Sequence, residues 1–442
     1  MDESSNRRRF LMAVAAAAAT GLSGCGGDGS STPTAADVDE TPTPEPTPTD
    51  ESTPTDESTP TDTPMGPGTP EATPQSTETP TGTPTATGTP ESVEFTDWPS
   101  YMYNDHNWGH VPDAVGPHED VSVVWERDLE ANQVNGSPIL ANGTVYVGDG
   151  RVNSDSGTFY SLDARTGETN WTFDLPGPVV DGAGFYEGRV YAGSSGTMAA
   201  YREDGSEYYR FDTRSDGRVT APTFTDGALF FGLQDTTYRV ETLRNVQEWT
   251  SDAFGVIPSA PVYDDGSVYV PSYDSTVYAY NASNGNERWT RDLGSRVNGI
   301  SMRDGRIYAP TEGGRLAQLN SQGSVVWSES HGAAVTATPA VTEEMVYCAT
   351  RNGDLIARSV SDGFEQWRYT EPDDAINAAP VVADGTVYFG CLDSRVYAVN
   401  AESGAPEWRY GTGGNIVNPA PVVSGGMVFI GSRDGTFYAL GE

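Results

Sequence analysis

A unit of about 40 residues repeats along the C-terminal part of this chain, and a period of that length leaves few folds open. An apolar residue followed by an aromatic recurs at Val145-Tyr146, Val190-Tyr191, Leu229-Phe230, Val268-Tyr269, Ile307-Tyr308, Val346-Tyr347, Val387-Tyr388 and Val428-Phe429. The aromatic positions step by 45, 39, 39, 39, 39, 41 and 41 residues. Most pairs follow a turn dipeptide: Asn142-Gly143, Asp226-Gly227, Asp265-Gly266, Asp304-Gly305 and Asp384-Gly385. Such a dipeptide ahead of alternating apolar residues signals a hairpin, because its central positions must accept positive φ.

Each unit reads as four strands. A short strand, usually marked by a proline, precedes the aromatic pair, and a second aromatic strand such as Val277-Tyr278-Ala279-Tyr280 follows it. A polar turn then leads to a tryptophan strand. The tryptophans are Trp125, Trp171, Trp249, Trp289, Trp327, Trp367 and Trp408, with Tyr209 standing in after Trp171. That makes eight, and the aromatic pairs also number eight. Trp125 comes before the first pair, however, and no tryptophan follows the last one. The strand around Trp125 therefore completes the final unit, which ends at Leu440. Joining the chain ends in this way removes open sheet edges. The expectation is an all-β, eight-bladed propeller of four-stranded antiparallel blades, closed by its N-terminal strand.

The repeat Asp384-Gly385-Thr386-Val387-Tyr388-Phe389-Gly390, continued through Val396-Tyr397-Ala398-Val399 to Trp408, resembles the PQQ-repeat propellers. The resemblance covers about Val121 to Glu442 and implies that each tryptophan docks between neighbouring blades. The run from Trp98 to His110 looks like the leader of related surface propellers, expected to pack along the outside of the ring or across one face. The family includes quinoprotein alcohol and sugar dehydrogenases, which hold pyrroloquinoline quinone and calcium near the axis. It also includes non-catalytic scaffold lipoproteins. One fold hosting many functions is the ordinary situation.

Ahead of the ring, two segments differ in character. Arg7 and Arg8 precede Phe10-Leu11 and an apolar stretch to Leu22, about the length of a signal core and too short to span a bilayer. This resembles a twin-arginine export signal. Leu22-Ser23-Gly24-Cys25 looks like a lipobox with Cys25 lipidated, so residues 1–25 read as an address. Residues 26–96 are rich in threonine, proline and acids and cannot assemble a core. They read as a disordered stalk that could hold the 97–442 domain up to roughly 200 Å from a membrane, at about 3.1 Å per residue. The expected location is the outer face of the cytoplasmic membrane, with a protein partner at the cell surface.

Composition narrows the partners. Lys+Arg number 25 against 63 Asp+Glu, for a net charge of −38, and every one of the 25 is arginine. Such acidity suits concentrated salt, where charges are screened within a few ångströms. It excludes nucleic acid, since no basic tract could neutralise phosphates. Besides Cys25 there are only Cys348 and Cys391, neither adjacent to another cysteine, and they read as two buried thiols. The adjacent-cysteine disulfide that the resemblance would imply for a dehydrogenase is absent from the sequence.

One set of positions points at the axis. Three residues before Pro138, Pro222, Pro261, Pro339, Pro380 and Pro421 lie Asn135, Val219, Pro258, Thr336, Asn377 and Asn418. By alignment, the second and fifth units contribute Asp181 and Asn298. Four asparagines, a threonine and a carboxylate could ring a hydrated cavity or a cation. The preferred reading is that they satisfy crowded backbone groups and ordered water. The histidines are His106, His110, His118 and His331; the first two could share a helix face, but a third metal ligand at suitable spacing is missing, and surface positions are expected. No nucleophile elbow or phosphate loop occurs. The sequence thus favours a non-catalytic binding or scaffold propeller with no catalytic or metal residues; the alternative is a dehydrogenase using pyrroloquinoline quinone and calcium.

Overall fold

Within each repeat, apolar content falls from the aromatic-pair strand to the tryptophan strand, and depth follows it. In a computed structural model, which describes residues 93–442 apart from 131–132 and 151–153, these strands form eight sheets around one axis. Arg7, Arg8, Cys25 and nearly all of the 26–96 segment lie outside the described residues. Each sheet carries four antiparallel strands, here A to D from the axis outward. Blade 4, for example, comprises Val262–Asp264, Ser267–Pro271, Thr276–Asn281 and Glu287–Asp292. Its B strand is buried at every position, because neighbouring blades cover both faces, which is why it reads as a continuous apolar run. Its D strand is largely exposed.

The A–B turns take the geometry that their dipeptides demand: Asp265 and Gly266 have φ of 40° and 71°, and Asp304 and Gly305 have 50° and 69°. Each proline marker sits one residue ahead of its A strand, where no ladder hydrogen bond is lost. Blade 8 takes its D strand, Ser122–Asp128, from the N-terminal side of the ring and pairs it with the C-terminal strand Thr436–Gly441, Trp125 facing Ala439. The ring is closed as the tryptophan count requires.

The tryptophans clasp neighbouring blades. Every C–D pairing carries a register shift beside the tryptophan slot, and a bulge of this kind re-aims a side chain. Trp289 packs 5.8 Å from Tyr269 of its own blade, and its indole N–H donates to the Ser321 carbonyl in the next blade's C–D turn, 2.9 Å away. Trp125, Trp171, Trp249, Trp327 and Trp367 donate likewise to Ala164, Glu203, Ala282, Val360 and Ala401. Trp408 has no such turn ahead of it and donates to Pro117 at 2.7 Å. The receiving turn needs a glycine: Gly323 has φ of +78°, and a Cβ there would lie 2.6 Å from the Trp289 ring. Between blades 2 and 3, Tyr209 fills the tryptophan slot but leaves its hydroxyl unpartnered; the adjacent Tyr208 makes the bond, to the Leu243 carbonyl at 3.2 Å. The receiving turn there carries Asn245, at φ of 55°, in place of glycine.

The leader crosses one face, and it visits every blade in order. It starts on blade 8, where the Thr96 N–H donates to Ser424 Oγ. Trp98 exchanges backbone hydrogen bonds with Leu140 of blade 1, and Pro99 accepts from Phe185 of blade 2. Asp105 receives the N–H of Phe224 on its carboxylate and that of Tyr263 on its carbonyl, in blades 3 and 4. His106, Trp108 and Gly109 accept from Met302, Val341 and Val382 of blades 5, 6 and 7. His110–Val111 adds a parallel fifth strand to blade 7, and Val115 returns to blade 8 through Gly426. The A–B-turn end of the axis is thereby covered by a full loop of main chain, with Trp98, Met102 and Val111 buried beneath it.

Candidate functional site

At the other end of the axis, the D-to-A connections of successive blades turn inward just before each A strand. They enclose a cavity of about 120 Å³. Asp181, Pro258, Asn298, Thr336, Asn377 and Asn418 line it, together with Tyr101, Ser137, Arg218, Ser259 and Tyr273. Asn135 and Val219 do not. Val219 bridges to Leu233 and is buried in the sheet. Asn135 is fully buried, and its amide donates to Gln133 Oε1 at 2.9 Å and to the Gly150 carbonyl at 3.2 Å. Ser137 takes its place at the axis and accepts the Ala420 N–H, joining blade 1 to blade 8.

Two members of the polar ring serve the backbone. Asn298 donates to the Val335 carbonyl at 2.6 Å and Thr336 to the Ile376 carbonyl at 2.8 Å, each reaching into the following blade. Buried carbonyls at a crowded axis need such partners. The Asn377 Oδ1 and the Ser259 hydroxyl, by contrast, have no protein partner and are free for water.

The single carboxylate is already engaged. Arg218 binds Asp181 through both oxygens, with Nε 3.0 Å from Oδ2 and an Nη2 contact to Oδ1. Asp181 is 9% exposed and Arg218 41%, yet protein surrounds the guanidinium closely enough for burial to lower its pKa. It remains a cation, and the pair is neutral overall. Tyr101 arrives from the leader; its hydroxyl donates to Thr338 Oγ1 at 3.2 Å, and burial raises its pKa.

Neither calcium nor a tricyclic quinone fits this geometry. Calcium takes six to eight oxygens, with carboxylates prominent, whereas here the one carboxylate faces a guanidinium. A quinone of that size needs a pocket of the order of 300 Å³ or more. Among the described residues, no three His, Cys, Asp or Glu side chains converge as a metal site would require.

Two of the histidines, His331 and His110, depart from their expected surface positions. His331 is buried; Arg358 Nε donates to its Nε2 at 3.1 Å, and burial, then Arg358, pulls its pKa down to about 3. Its backbone lies where a blade's last strand turns inward, so the neighbouring blade covers it. His110 is half-buried beside Arg303, with its pKa lowered to about 4, chiefly by burial. His106 lies in a turn and His110 in a strand, so they share no helix; His106 pairs with Asp264. His118 is exposed, and its hydrogen bond to Asp384 raises its pKa. Cys348 and Cys391 are free and buried, and desolvation pushes both thiols up to about 12.

Comparison with known proteins follows the architecture. A family model described as outer membrane protein assembly factor BamB matches residues 114–227, 156–252 and 194–442. Outer membrane protein assembly factor BamB of Yersinia pestis is 24% identical over 212 residues, which are 48% of this chain and 47% of that protein. The chain thus spans about half the length of this curated relative. Among solved structures, BamB from Moraxella catarrhalis is 17% identical, covers 73% of this chain and 100% of its own, and superposes with a TM-score of 0.60. A quinohemoprotein alcohol dehydrogenase from Comamonas testosteroni is 14% identical, with 78% and 80% covered and a TM-score of 0.66. At these identities the structural likeness carries the fold and no chemistry.

Proposed function

Because the chain belongs to the family described as outer membrane protein assembly factor BamB, we propose that it is a non-catalytic binding or scaffold propeller of the cell envelope. The observation that carries this reading is the axial cavity: it is small, and its one carboxylate is neutralised by Arg218. The opposite end of the axis is sealed by the leader. A partner would then dock on the open end, where the B–C and D–A loops of all eight blades meet. Phe254, 89% exposed in the loop between blades 3 and 4, is an apolar anchor of the kind that interfaces use.

The N-terminal address completes the proposal. Export through the twin-arginine signal at Arg7 and Arg8 would deliver the chain, and lipid on Cys25 would hold it at the outer face of the cytoplasmic membrane. Residues 26–96 would then act as a stalk that presents the ring to a protein at the cell surface. A photo-crosslinking residue replacing Phe254 in the full-length chain, expressed in cells, tests this directly. One dominant protein adduct, lost when Cys25→Ser releases the chain from membranes, is the expected result. Absence of any adduct at open-end positions, together with quinone-dependent alcohol or sugar oxidation, overturns it.

A further inference from the structure

The leader does more than seal the ring, because it also walls a second cavity. Between its turn and blades 2 and 3 lies a pocket of about 460 Å³, on the end of the ring opposite the axial cavity's opening. Its walls are aromatic: Tyr103 and Trp108 from the leader, with Phe185, Tyr186 and Phe224 from the ring. Tyr186 and Phe224 stack on one another, with centroids 5.0 Å apart and planes within 5°. Among the described residues, the charged side chains lining the pocket are two carboxylates, Asp97 and Asp105, while Arg303 already covers a face of Trp108, 4.4 Å from its ring centroid.

Asp97 is exposed and Asp105 half-buried. Asp105 Oδ1 accepts the Phe224 N–H at 3.1 Å, and Asp97 Oδ1 accepts the Asn142 N–H at 2.9 Å. The second oxygen of each has no donor among the described residues. Burial raises the pKa of Asp105, outweighing the Phe224 N–H and the neighbouring His106, which lower it. Of the leader residues at positive φ, Tyr103, at 83°, lines the pocket, whereas Met102 and Asn107, at 52° and 53°, are buried against the ring.

Aromatic faces carry negative quadrupole potential, and carboxylates add full charge, so the pocket selects for positive charge. A strongly hydrated metal ion would lose more water than these apolar walls return. A weakly hydrated organic cation would not. We propose that the pocket between the leader and blades 2 and 3 binds a substituted ammonium group, either on a free small molecule or on a lipid headgroup. Tyr103, Tyr186 and Phe224 supply the aromatic wall, and Asp97 and Asp105 supply the counter-charge. The site is independent of the scaffold reading, since it lies away from the open end.

Calorimetric titration of the full chain with choline, tetramethylammonium, glycine betaine and the neutral choline isostere 3,3-dimethylbutan-1-ol tests the proposal. Choline and tetramethylammonium should saturate one site, with the isostere and the zwitterion at least ~10-fold weaker, the range that a desolvated cation–π contact supplies. Tyr103→Leu and Asp105→Asn should each weaken choline binding by about 5-fold while leaving the circular dichroism spectrum unchanged. Flotation with phosphatidylcholine vesicles, competed by free choline, would identify the headgroup as the source; binding of choline without flotation would identify a free cation. Equal affinity for choline and its isostere, or no saturable heat from either cation with the unmodified chain, overturns the proposal whatever the variants do.

Discussion

The two ends of the axis are held by different parts of the chain. At the A–B-turn end the leader bonds through its main chain to blades 8, 1, 2, 4, 5, 6 and 7 in turn, and through the Asp105 side chain to blade 3. The tryptophan clasps lie on the same side, at the C–D turns. At the open end, each D–A connection bonds by its main chain to a neighbouring B–C turn, as in Ile257 to Gln234, Val297 to Ser272, Val335 to Thr311 and Ile376 to Thr350. Side chains add Asn298 to Val335, Thr336 to Ile376, Ser137 to Ala420 and Arg218 to Asp181. Main-chain bonds, present at both ends, fix a shape whatever the side chains are, whereas the side-chain bonds of the axial ring can be refitted one residue at a time. The first end is therefore a base covered by the leader, and the second leaves its axial side chains open at the surface.

Removing the base should have the largest effect. Deletion of residues 93–115 exposes the sites of Trp98, Met102 and Val111, each worth about 1.5–3 kcal/mol when fully buried. The ring should lose about 5 kcal/mol or more, read as a large drop in denaturant midpoint. A loss below about 1 kcal/mol would make the leader a passive wrapping.

Breaking one clasp should have a smaller effect. Trp289→Ala removes a half-buried indole and its bond to Ser321, and should cost about 3 kcal/mol. Tyr209→Ala should cost less, because its hydroxyl has no partner and the bond to Leu243 comes from Tyr208. Equal losses at the two sites would show that the indole bond contributes little.

Acid should act at both ends, through His331 at the open end and His110 in the leader. His331 has a folded pKa of about 3, below the ordinary 6.5, so the unfolded chain binds the extra proton between those values. Its neutral form is fully compatible with folding above pH 6.5, and stability falls as pH drops through that window. Between pH 8 and pH 5 the loss from this one group is about 2 kcal/mol, at 1.36 kcal/mol per unit. His331→Gln, which keeps an acceptor for Arg358, should make the profile shallower over that range, leaving the contribution of His110. An unchanged profile would contradict the burial argument.

The parts of the molecule that were legible beforehand are those that repeat. Eight aromatic pairs, the Asp-Gly turns and the displaced Trp125 each report the same ring, because every blade solves the same packing problem. The leader's path was not legible, since its bonds use main-chain groups that any sequence carries. The axial residues were only partly legible. The slot rule assumes eight equivalent blades, but blade 1 carries extra residues after Gly148, and the Gly150 carbonyl draws Asn135 away from the axis. Arg218 escaped notice because it sits one residue ahead of the slot, with Val219 in it. Its occurrence in one blade only was the available signal, together with the single carboxylate at Asp181. His331 was misplaced because the last strand's end reads as exposed until the next blade is docked on it.

The central claim is that the axis holds the ring together and does not hold a redox cofactor. Its most direct test is calorimetric titration of the full chain with pyrroloquinoline quinone and calcium in concentrated salt, beside the Asp181→Ala variant. The account predicts no saturable heat from either protein. Saturable binding near one quinone per chain, abolished by Asp181→Ala, would contradict it and make the open end a catalytic site.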